Sequence, residues 1–521
     1  MQLGALFQGV EGERHGRFDA QRVRALVTDS RRVRAGSVFF ALAGTNGHGL
    51  HHVEDAIGRG ALALVAPCAP TAALRAGLPT LVVENPRSLL APLAARLYGR
   101  PADRLMLFGV TGTNGKTTTA LMTAAALARA DVPTAYWTTT EVRVGDIAFR
   151  PFWTTPPPPD LERFLAACVD VGASRAVLEV SSHAVALGRI EGLRFAVGAA
   201  TNLSPDHLDF HGTVEAYAAA KRRFIQDLDA DAVAVLNGDD PVVSAFGQGA
   251  RARVVRVGWE HGADLRLTAF EDRREGFSVH VEIGPEELRP GGERAIRLDL
   301  PVMGRHNAMN AVVALAAVLA QGLDATAALA ALARFTPPLR RLERRDVGPY
   351  TIVNDVAMNE ASFETVLAWA AASGHEQVVT VYALRGHRGA AVTAAIGRVF
   401  VRHVADLDLH PLHVSLSRSE MADLEVDQQV RDLELDAFLA VLAEAGVAAE
   451  VGLSLGATID RAVARLDPGG LLLLLGTFGM DDGPRLAEAA LCRRLGLPPT
   501  PALPYPPPSY GHFPGEPGGA G

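Results

Sequence analysis

Short apolar runs alternate with helical stretches through the first hundred residues. Apolar runs lie at 37–42, 61–66 and 80–83, and a helical stretch lies at 53–60. Each apolar run has the length of a buried strand, and a Gly-Arg-Pro break at 99–101 interrupts the pattern. We therefore predict a small N-terminal α/β domain over residues 1–100.

A second pattern of this kind occupies residues 101–335. An apolar run at 105–110 leads into a glycine-rich loop, and a helix rich in alanine and leucine is predicted from residue 116 to about 129. The remaining predicted elements are strands at 176–180, 197–200 and 232–236, a polar strand-like insertion at about 251–300, and helices at 306–321 and 325–335. Strands that alternate with helices form parallel sheets, so we predict a doubly wound, P-loop ATPase-like central domain.

The alternation resumes after the Thr-Pro-Pro linker at 336–338. Strands are predicted at 350–353, 378–381, 412–416 and 471–475, and helices at 362–372, 437–446 and 457–466. This pattern indicates a third α/β domain, Rossmann-like, over residues 336–497. Residues 498–521 are rich in proline and glycine, and we expect them to form a disordered tail.

Composition excludes several classes of partner. The net charge of −8 argues against nucleic acid and against a membrane surface, and 48% hydrophobic with 21% charged residues is typical of globular domains. Three widely separated cysteines form neither a metal-ligand pair nor a disulfide framework. We read no signal peptide at the N-terminus. We therefore expect a cytoplasmic monomer that binds small molecules, with neither nucleic acid nor a membrane among its partners.

Lysine is almost absent from this arginine-rich chain. Lysine and arginine together number 50, yet only Lys116 and Lys221 are lysine. Lys116 lies in the glycine-rich loop, and Lys221 follows a stretch rich in histidine and aspartate at 202–211. Arginine cannot lose its proton, whereas a lysine amine can be unmasked for covalent chemistry. Both lysines are therefore candidate catalytic residues, although a biased composition also leaves a lysine or two by chance.

The loop that contains Lys116 has the features of a phosphate-binding loop. Residues 111–118 read Thr-Gly-Thr-Asn-Gly-Lys-Thr-Thr, and Val110 stands where the strict P-loop pattern has its first glycine. Glycines let backbone N–H groups approach phosphates, and the start of a helix favours anions. The ammonium can then reach the β- and γ-phosphates, and a threonine hydroxyl can reach Mg²⁺. The alternative is a glycine turn before an amphipathic helix.

Polar side chains follow two further predicted strands. Glu179 lies at the end of the strand predicted at 176–180, and His207 lies in the polar stretch after the strand at 197–200. Ligands bind at the carboxyl ends of strands in doubly wound sheets, and a carboxylate with an imidazole suits Mg²⁺ or Mn²⁺. We predict that the two side chains share a cation. A helix-entry charge and a turn residue are the alternatives.

Together these motifs resemble the Mur ligase family, whose members form amide bonds with ATP in peptidoglycan precursor synthesis. The resemblance is carried by the loop at 111–119, by Glu-Val-Ser-Ser-His at 179–183 with Gly-Arg at 188–189, and by the segments at 29–44 and 202–212. It covers residues 25 to about 345. It is greatest to the branch that adds the third stem residue to UDP-N-acetylmuramoyl-L-alanyl-D-glutamate, and it implies an N-terminal domain that binds the UDP-sugar.

The resemblance implies roles for individual residues. ATP would contact Gly112, Thr113, Asn114, Gly115, Lys116, Thr117, Thr118, Asn307, Asn310, Arg341 and Asp355. The muramoyl-peptide would contact Ser30, Thr45, Asn46, Thr154, Thr155, Ser181 and Arg189. Mg²⁺ would be held by Thr117, Glu179, His207 and a CO₂-derived carbamate on Lys221. The implied mechanism is attack of the D-glutamyl carboxylate on the γ-phosphate, then attack of an amine on the acyl phosphate, with Lys116, Lys221, Glu179 and His207 as catalytic residues.

The third domain departs from the family pattern where the added amino acid is recognised. Residues 355–360 read Asp-Val-Ala-Met-Asn-Glu in place of Asp-Tyr-Ala-His-Thr-Pro, and residues 415–418 read Ser-Leu-Ser-Arg in place of Asp-Asn-Pro-Arg. Residues 476–480 lack the Gly-Lys-Gly-His-Glu pattern, and Leu187 replaces a glutamine. Arg418 is the candidate for a carboxylate contact. Three functions stay open: a muramoyl-dipeptide ligase, a ligase for another acid and amine that resembles cyanophycin synthetase, and an inactive paralogue that binds nucleotide or UDP-muropeptide.

Overall fold

Three sheets of five, eleven and six strands organise the chain in the computed structural model. The model describes residues 1–19, 21–44, 47–128, 133–273, 275–407, 409, 411–421, 429–498 and 509. Each sheet is mainly parallel in its centre and is covered on both faces by helices, so apolar side chains fill a core on either side. The predicted three-part α/β fold class is confirmed. The exact domain boundaries stay a prediction.

The N-terminal sheet has the order β1-β5-β4-β3-β2, in which only β1 is antiparallel to its neighbour. Its elements are α1 (Leu3–Leu6), β1 (Glu13–His15), β2 (Ala25–Val27), β3 (Ser37–Phe40), α2 (Val53–Gly58), β4 (Ala63–Ala66), α3 (Thr71–Arg75), β5 (Thr80–Val82) and α4 (Leu90–Tyr98). An ion pair at 2.6 Å between Arg32 and Asp160 connects this layer to the central one.

The central sheet has the order β16-β15-β14-β13-β12-β11-β6-β10-β7-β8-β9. Its strands are β6 (Met106–Thr111), β7 (Ala135–Trp137), β8 (Val142–Val144), β9 (Ile147–Phe149), β10 (Arg175–Glu179), β11 (Phe195–Ala200), β12 (Val233–Asn237), β13 (Arg253–Gly258), β14 (Leu265–Arg273), β15 (Gly276–Ile283) and β16 (Ala295–Leu300). Its helices are α5 (Lys116–Leu127), α6 (Pro158–Asp170), α7 (Ser182–Ala186), α8 (Leu208–His211), α9 (Val214–Gln226), α10 (Pro241–Ser244), α11 (Arg305–Leu319) and α12 (Ala325–Leu332). The segment predicted as an insertion at about 251–300 is instead an edge of this sheet, because β13 pairs in parallel with β12.

The C-terminal sheet has the order β17-β18-β22-β19-β20-β21, with only β17 antiparallel. Its strands are β17 (Glu343–Val347), β18 (Tyr350–Asp355), β19 (Val378–Ala383), β20 (Leu412–Ser415), β21 (Ala449–Gly452) and β22 (Leu471–Gly476). Its helices are α13 (Glu360–Ala372), α14 (Ala390–Arg402), α15 (Val404–Leu407), α16 (Asp432–Glu444), α17 (Leu455–Arg465) and α18 (Gly483–Leu495). The apolar run predicted at 471–475 is the fully buried β22, in the middle of the sheet.

Short 3-10 helices complete the connections, at Ser30–Arg32, Gly49–His52, Pro86–Leu89, Pro101–Arg104, Ala245–Gly247, Glu286–Leu288, Pro290–Gly292 and Phe478–Met480. The predicted tail falls outside the described residues apart from its first residue, Pro498, and Ser509. The Ser509 N–H donates to the Arg150 carbonyl at 2.7 Å. Within the described ranges, no helix is both long and apolar enough to cross a membrane.

Candidate functional site

Three adjacent parallel strands end at the same edge of the central sheet. β6 lies between β10 and β11, and the register aligns Glu179 of β10 with Val110 and Ala200 of β11 with Thr111. The glycine-rich loop leaves β6 at this point, and α5 begins at Lys116. The sheet therefore brings the loop, Glu179 and the polar segment after β11 together at its carboxyl edge, where doubly wound sheets bind ligands.

The glycine-rich loop is held by the polar segment that follows β11. The N–H groups of Thr113 and Asn114 donate to the Asn202 carbonyl and side chain at 2.8 and 2.9 Å, and Thr201 Oγ1 donates to the Asn114 carbonyl at 2.6 Å. Gly112 has a φ of 140°, and a Cβ atom there would overlap the Thr201 hydroxyl. Only glycine suits this position, which gives the loop one fixed shape.

The two lysines of the chain meet at one carbonyl oxygen. Lys116 Nζ donates to the Gly112 carbonyl at 3.0 Å, and Lys221 Nζ donates to the same oxygen at 2.7 Å. Lys221 is 1% exposed. Burial, reinforced by the Lys116 ammonium, lowers the pKa of Lys221 well below its ordinary value of 10.5. Burial also lowers the pKa of Lys116, against the opposing effect of Glu179.

Tyr217 is part of this arrangement and was not singled out from the sequence. It lies one helical turn before Lys221 on α9, so both side chains lie on the same helix face. Its hydroxyl is 3.0 Å from Thr113 Oγ1, and the Lys221 ammonium is 4.7 Å from the centre of its ring. The i, i+4 spacing is the signal in the sequence that could have identified it.

Glu179 and His207 line the same cleft, and a shared cation stays a prediction. The Glu179 carboxylate is buried and accepts hydrogen bonds from the Thr139 N–H at 2.6 Å and from its hydroxyl at 3.2 Å. His207 has a left-handed backbone with a φ of 53°, and its N–H donates to Asp206 at 2.9 Å. Burial lowers the pKa of His207, although the neighbouring Asp206 carboxylate opposes this. The lowered pKa favours the neutral ring, which can donate an electron pair.

The donors in the cleft suit a hard cation. Glu179 offers carboxylate oxygens, His207 an imidazole nitrogen and Thr117 a hydroxyl, and all three line the cleft. Across the described ranges, no group of three or more His, Cys, Asp or Glu side chains is placed to hold a metal ion by itself. Mg²⁺ takes six ligands, so these three side chains leave coordination positions for phosphate oxygens or water.

At the other end of the cleft lie the residues assigned to the nucleotide. Asn310 packs against Gly115 of the loop and donates to Asn307 at 3.0 Å, and Asn307 donates to the Met303 carbonyl at 2.8 Å. Burial raises the pKa of Asp355 to about 6, although Arg341 opposes this. Thr118, Arg341 and Asp355 also line the cleft, whose volume is about 680 Å³.

A stacked pair of side chains at this end of the cleft was not identified from the sequence. The Arg305 guanidinium lies 4.1 Å from the centre of the Trp259 ring, and both residues line the cleft. The backbone N–H of Trp259 donates to both oxygens of Asp239, at 3.1 and 2.8 Å. The pair forms a flat wall, and nothing in the local sequence connects residues so far apart.

The C-terminal layer closes over the glycine-rich loop. Asn359, at the start of α13, exchanges hydrogen bonds of 3.1 and 3.2 Å with the Asn114 side chain and donates to Asp206 at 3.1 Å. Arg388 pairs with Asp206 at 3.4 Å and donates to the Met358 carbonyl at 2.8 Å. The divergent residues of this layer therefore lie directly against the loop.

The residues assigned to the acid substrate are only partly brought together. Thr154 and Ser181 line the cleft. Thr155 Oγ1 donates to the Glu179 carbonyl at 2.6 Å, and Arg189 donates to the Thr155 carbonyl at 2.7 Å. Ser30 is buried in the N-terminal layer, and Thr45 and Asn46 lie outside the described residues.

Two cations lie where the N-terminal and central layers meet. Burial lowers the pKa of Arg189 to about 10, and the nearby Arg87 guanidinium adds to this effect. Arg87 donates to the Ala43 carbonyl, and within the described ranges neither arginine has a carboxylate partner. Arg87 was not singled out from the sequence. Two half-buried guanidiniums without a carboxylate favour an anionic ligand.

Arg418 does not line the cleft. It is exposed, and its backbone N–H donates to the Leu453 carbonyl at 3.0 Å. The preceding Ser415 and Ser417 are buried, with their hydroxyls 2.9 Å apart. A carboxylate contact by Arg418 stays a prediction.

Comparison with known proteins places this geometry in a family. A model of the Mur ligase middle domain matches residues 110–318, and a model of the Mur ligase family, catalytic domain, matches residues 22–98. The UDP-N-acetylmuramoyl-L-alanyl-D-glutamate–2,6-diaminopimelate ligase of Geobacillus kaustophilus is 34% identical over 436 residues, which are 82% of this chain and 83% of the relative. The UDP-N-acetylmuramyl-tripeptide synthetase of Roseiflexus sp. is 33% identical over 87% of this chain and 89% of its own length.

Solved structures share the fold at lower identity. The MurF ligase of Thermotoga maritima, in complex with ADP, superposes with a TM-score of 0.62 at 19% identity, covering 91% of this chain and 99% of that one. The resemblance inferred from the motifs is thereby confirmed, and the chain belongs to the Mur ligase family.

Proposed function

We propose that this protein is an ATP-dependent ligase of peptidoglycan precursor synthesis, which joins an amino acid to UDP-N-acetylmuramoyl-L-alanyl-D-glutamate. The names of the Geobacillus and Roseiflexus relatives support the acid substrate, and the ADP bound to the Thermotoga structure supports the nucleotide. The observation that carries the proposal is the meeting of Lys116 and Lys221 at the Gly112 carbonyl. An ammonium in a loop of phosphate-binding type and a buried amine that can react with CO₂ both suit phosphoryl transfer assisted by metal ions.

In the first step, an oxygen of the D-glutamyl carboxylate attacks the γ-phosphorus of ATP, and the bond to ADP breaks. Lys116 gives up its two carbonyl contacts in the loop and neutralises charge on the phosphoryl oxygens. Thr117, Glu179 and His207 would hold Mg²⁺, which supplies further charge neutralisation. Thr139 fixes the Glu179 carboxylate through two hydrogen bonds.

Lys221 would act after conversion to a carbamate. Its neutral amine attacks the carbon of CO₂, a C–N bond forms, one C=O electron pair moves to oxygen, and the nitrogen releases a proton. Burial lowers the pKa of Lys221 well below its ordinary value, which raises the fraction of neutral amine available for this step. The product is a carboxylate on α9, beside the glycine-rich loop.

In the second step, the amine of the incoming amino acid attacks the acyl phosphate. A tetrahedral intermediate forms, the C–O bond to phosphate breaks, and the amine loses a proton. Asn359 and Arg388 hold the C-terminal layer against the loop, which excludes water from the acyl phosphate. The half-buried Arg87 and Arg189 support an anionic acid substrate at the boundary between the other two layers.

The test measures phosphate release with ATP, Mg²⁺ and UDP-N-acetylmuramoyl-L-alanyl-D-glutamate against lysine, ornithine and meso-diaminopimelate. We expect release that depends on both the UDP-sugar and one of these amines, and this panel identifies the added amino acid. Binding of the UDP-sugar without phosphate release for any amine would contradict the ligase and favour an inactive paralogue. The free thiols Cys68, Cys168 and Cys492 agree with a cytoplasmic site of action.

A further inference from the structure

Two arginines from separate parts of the chain share the carboxylate of Asp481. Arg150 lies in the segment between β9 and α6 of the central layer, and its Nη1 atom donates to Asp481 Oδ2 at 3.2 Å. Arg340 lies in the connection between the central and C-terminal sheets and pairs with Asp481 Oδ1. Asp481 follows β22 and the 3-10 helix Phe478–Met480. We name Arg150, Arg340 and Asp481 the Asp481 bridge.

The Asp481 bridge is shielded from solvent. The side chains of Arg150, Arg340 and Asp481 are 11%, 3% and 25% exposed. Arg340 also donates to the carbonyls of Gly476 and Thr477 at the end of β22. Exposed ion pairs contribute little, whereas removing one member of a buried network leaves an unpaired charge. The bridge therefore fixes the end of β22 relative to the central layer.

Arg340 adopts a costly backbone conformation to reach Asp481. Its φ is 60°, and Leu342 two residues later has a φ of 47°, although neither is glycine. Left-handed conformations of this kind persist where the surrounding contacts hold them. They direct the side chains of Arg340 and Arg341 to different places: Arg340 toward Asp481 and Arg341 toward the nucleotide end of the cleft.

The Asp481 bridge lies between the segment assigned to the muramoyl-peptide and the part of the C-terminal layer that faces the glycine-rich loop. Thr154 and Thr155, which the family resemblance assigns to the muramoyl-peptide, follow Arg150 by four and five residues. On the other side, the Phe478 ring lies 6.0 Å from the Arg150 guanidinium and 5.9 Å from that of Arg385. Arg385 belongs to the loop after β19 that also carries Arg388, which contacts Asp206 beside the glycine-rich loop.

We infer that Asp481 is a positioning residue that couples the muramoyl-peptide segment to the C-terminal layer through Arg150 and Arg340. This inference rests on the proposed ligase function. Asp481 already accepts from a guanidinium on each carboxylate oxygen, so we assign it to positioning and not to contact with the incoming amine. Occupancy of the segment after Arg150 by the acid substrate thereby holds the end of β22, Phe478 and the Arg385 loop in place for the second substrate.

The experiment is a double-mutant cycle in the full chain with Arg150→Gln, Asp481→Asn and the pair. Steady-state kinetics are measured with each substrate varied in turn. We expect each single variant to raise KM for the amine about tenfold and to lower kcat, while KM for ATP changes less than about twofold. The double variant is expected to have the same KM for the amine and the same kcat as the less active single variant, because either change breaks the same contact.

Asp482→Asn is the matched control. Asp482 is the next residue, pairs with Arg485 on the same helix at 3.3 Å and is 42% exposed. We expect it to behave as wild type. Additive effects of the two bridge variants, or an unchanged KM for the amine, would overturn the inference.

A second measurement does not depend on turnover. Small-angle scattering with a non-hydrolysable ATP analogue and the UDP-muropeptide is expected to show a more extended Asp481→Asn protein than wild type. Equal dimensions of wild type and Asp481→Asn would overturn the inference that the Asp481 bridge holds the layers together. If the wild type ligates no amine, the proposed function fails on its own, and the scattering still decides whether the bridge holds the layers together.

Discussion

Lys116 and Lys221 donate to the same oxygen, the carbonyl of Gly112, at 3.0 and 2.7 Å. Two ammonium groups this close repel each other, and the more buried one loses its proton more readily. Burial is the main cause of the lowered pKa of Lys221, and the loop adds to this effect because it brings Lys116 beside it. The same loop geometry places the proposed phosphate-binding cation and the proposed carbamate side by side.

Replacement of Lys221 tests the carbamate. We expect Lys221→Arg and Lys221→Gln to lower kcat by about 10²–10³-fold, since neither side chain can react with CO₂. The glutamine variant serves as a second test if the arginine variant does not fold, and thermal unfolding measures whether each variant is folded. Arg222→Ala, on the exposed side of the same helix, is the matched control and should retain full activity. Near-normal turnover in Lys221→Arg would refute the carbamate.

Removal of CO₂ gives an independent test. The wild type, dialysed against degassed buffer, is expected to lose activity and to regain it with added bicarbonate, because a carbamate reverses when CO₂ is withdrawn. With ¹³C-bicarbonate, a carbamate carbon signal is expected in the wild type and not in Lys221→Gln. Activity that does not change with bicarbonate, together with the absence of this signal in the wild type, would contradict a carbamate on Lys221.

Gly112 is expected to tolerate no side chain. In Gly112→Ala the methyl group meets the Thr201 hydroxyl, and the backbone is held at a φ of 140°. We expect a loss of unfolding free energy of more than about 3 kcal/mol and loss of ATP binding. Gly172 has a φ of 81° and open space around its Cα, so Gly172→Ala should cost only about 1–2 kcal/mol. Chemical denaturation of both variants makes the comparison, and equal losses would show that the overlap with Thr201 is unimportant.

Much of the fold and part of the site follow from the sequence, because both depend on local pattern. The buried run at 471–475 and the loop before Lys116 can each be recognised from a short continuous stretch of sequence. Strands β7, β8 and β9 have three residues each, too short for a period to be recognised. Thr139, which holds Glu179, lies between two of them.

The remaining site residues depend on contacts between distant parts of the chain. Trp259 and Arg305 stack across 46 positions, and Arg150 reaches Asp481 across 331. No local periodicity encodes such pairs, because tertiary packing decides which elements meet. The left-handed backbone of Arg340 is likewise favoured only by its partners in the folded protein.

Asp355 is expected to make stability depend on pH. Its pKa rises from 3.8 to about 6 on folding, so the folded state binds this proton more tightly than the unfolded chain. Its contribution to the free energy of unfolding is therefore greatest below pH 3.8, falls as pH rises to about 6, and is constant above that. The full change is about 3 kcal/mol.

Asp355→Asn removes this titration and can keep the acceptor for the Leu342 N–H. The stability of the variant relative to wild type should rise by about 2.5 kcal/mol between pH 4 and pH 7. Urea unfolding at several pH values measures the difference. A difference that stays constant with pH would show that Asp355 does not titrate in this range.

The scarcity of lysine also makes the site spectroscopically isolated. The chain has only two lysine side chains, and both line the cleft. Labelling of the lysine ε-carbons therefore yields two side-chain resonances in a chain of 521 residues, one from the glycine-rich loop and one from α9. A ligand that binds in the cleft is expected to change the chemical shifts of these two resonances, and no lysine on the surface adds a signal.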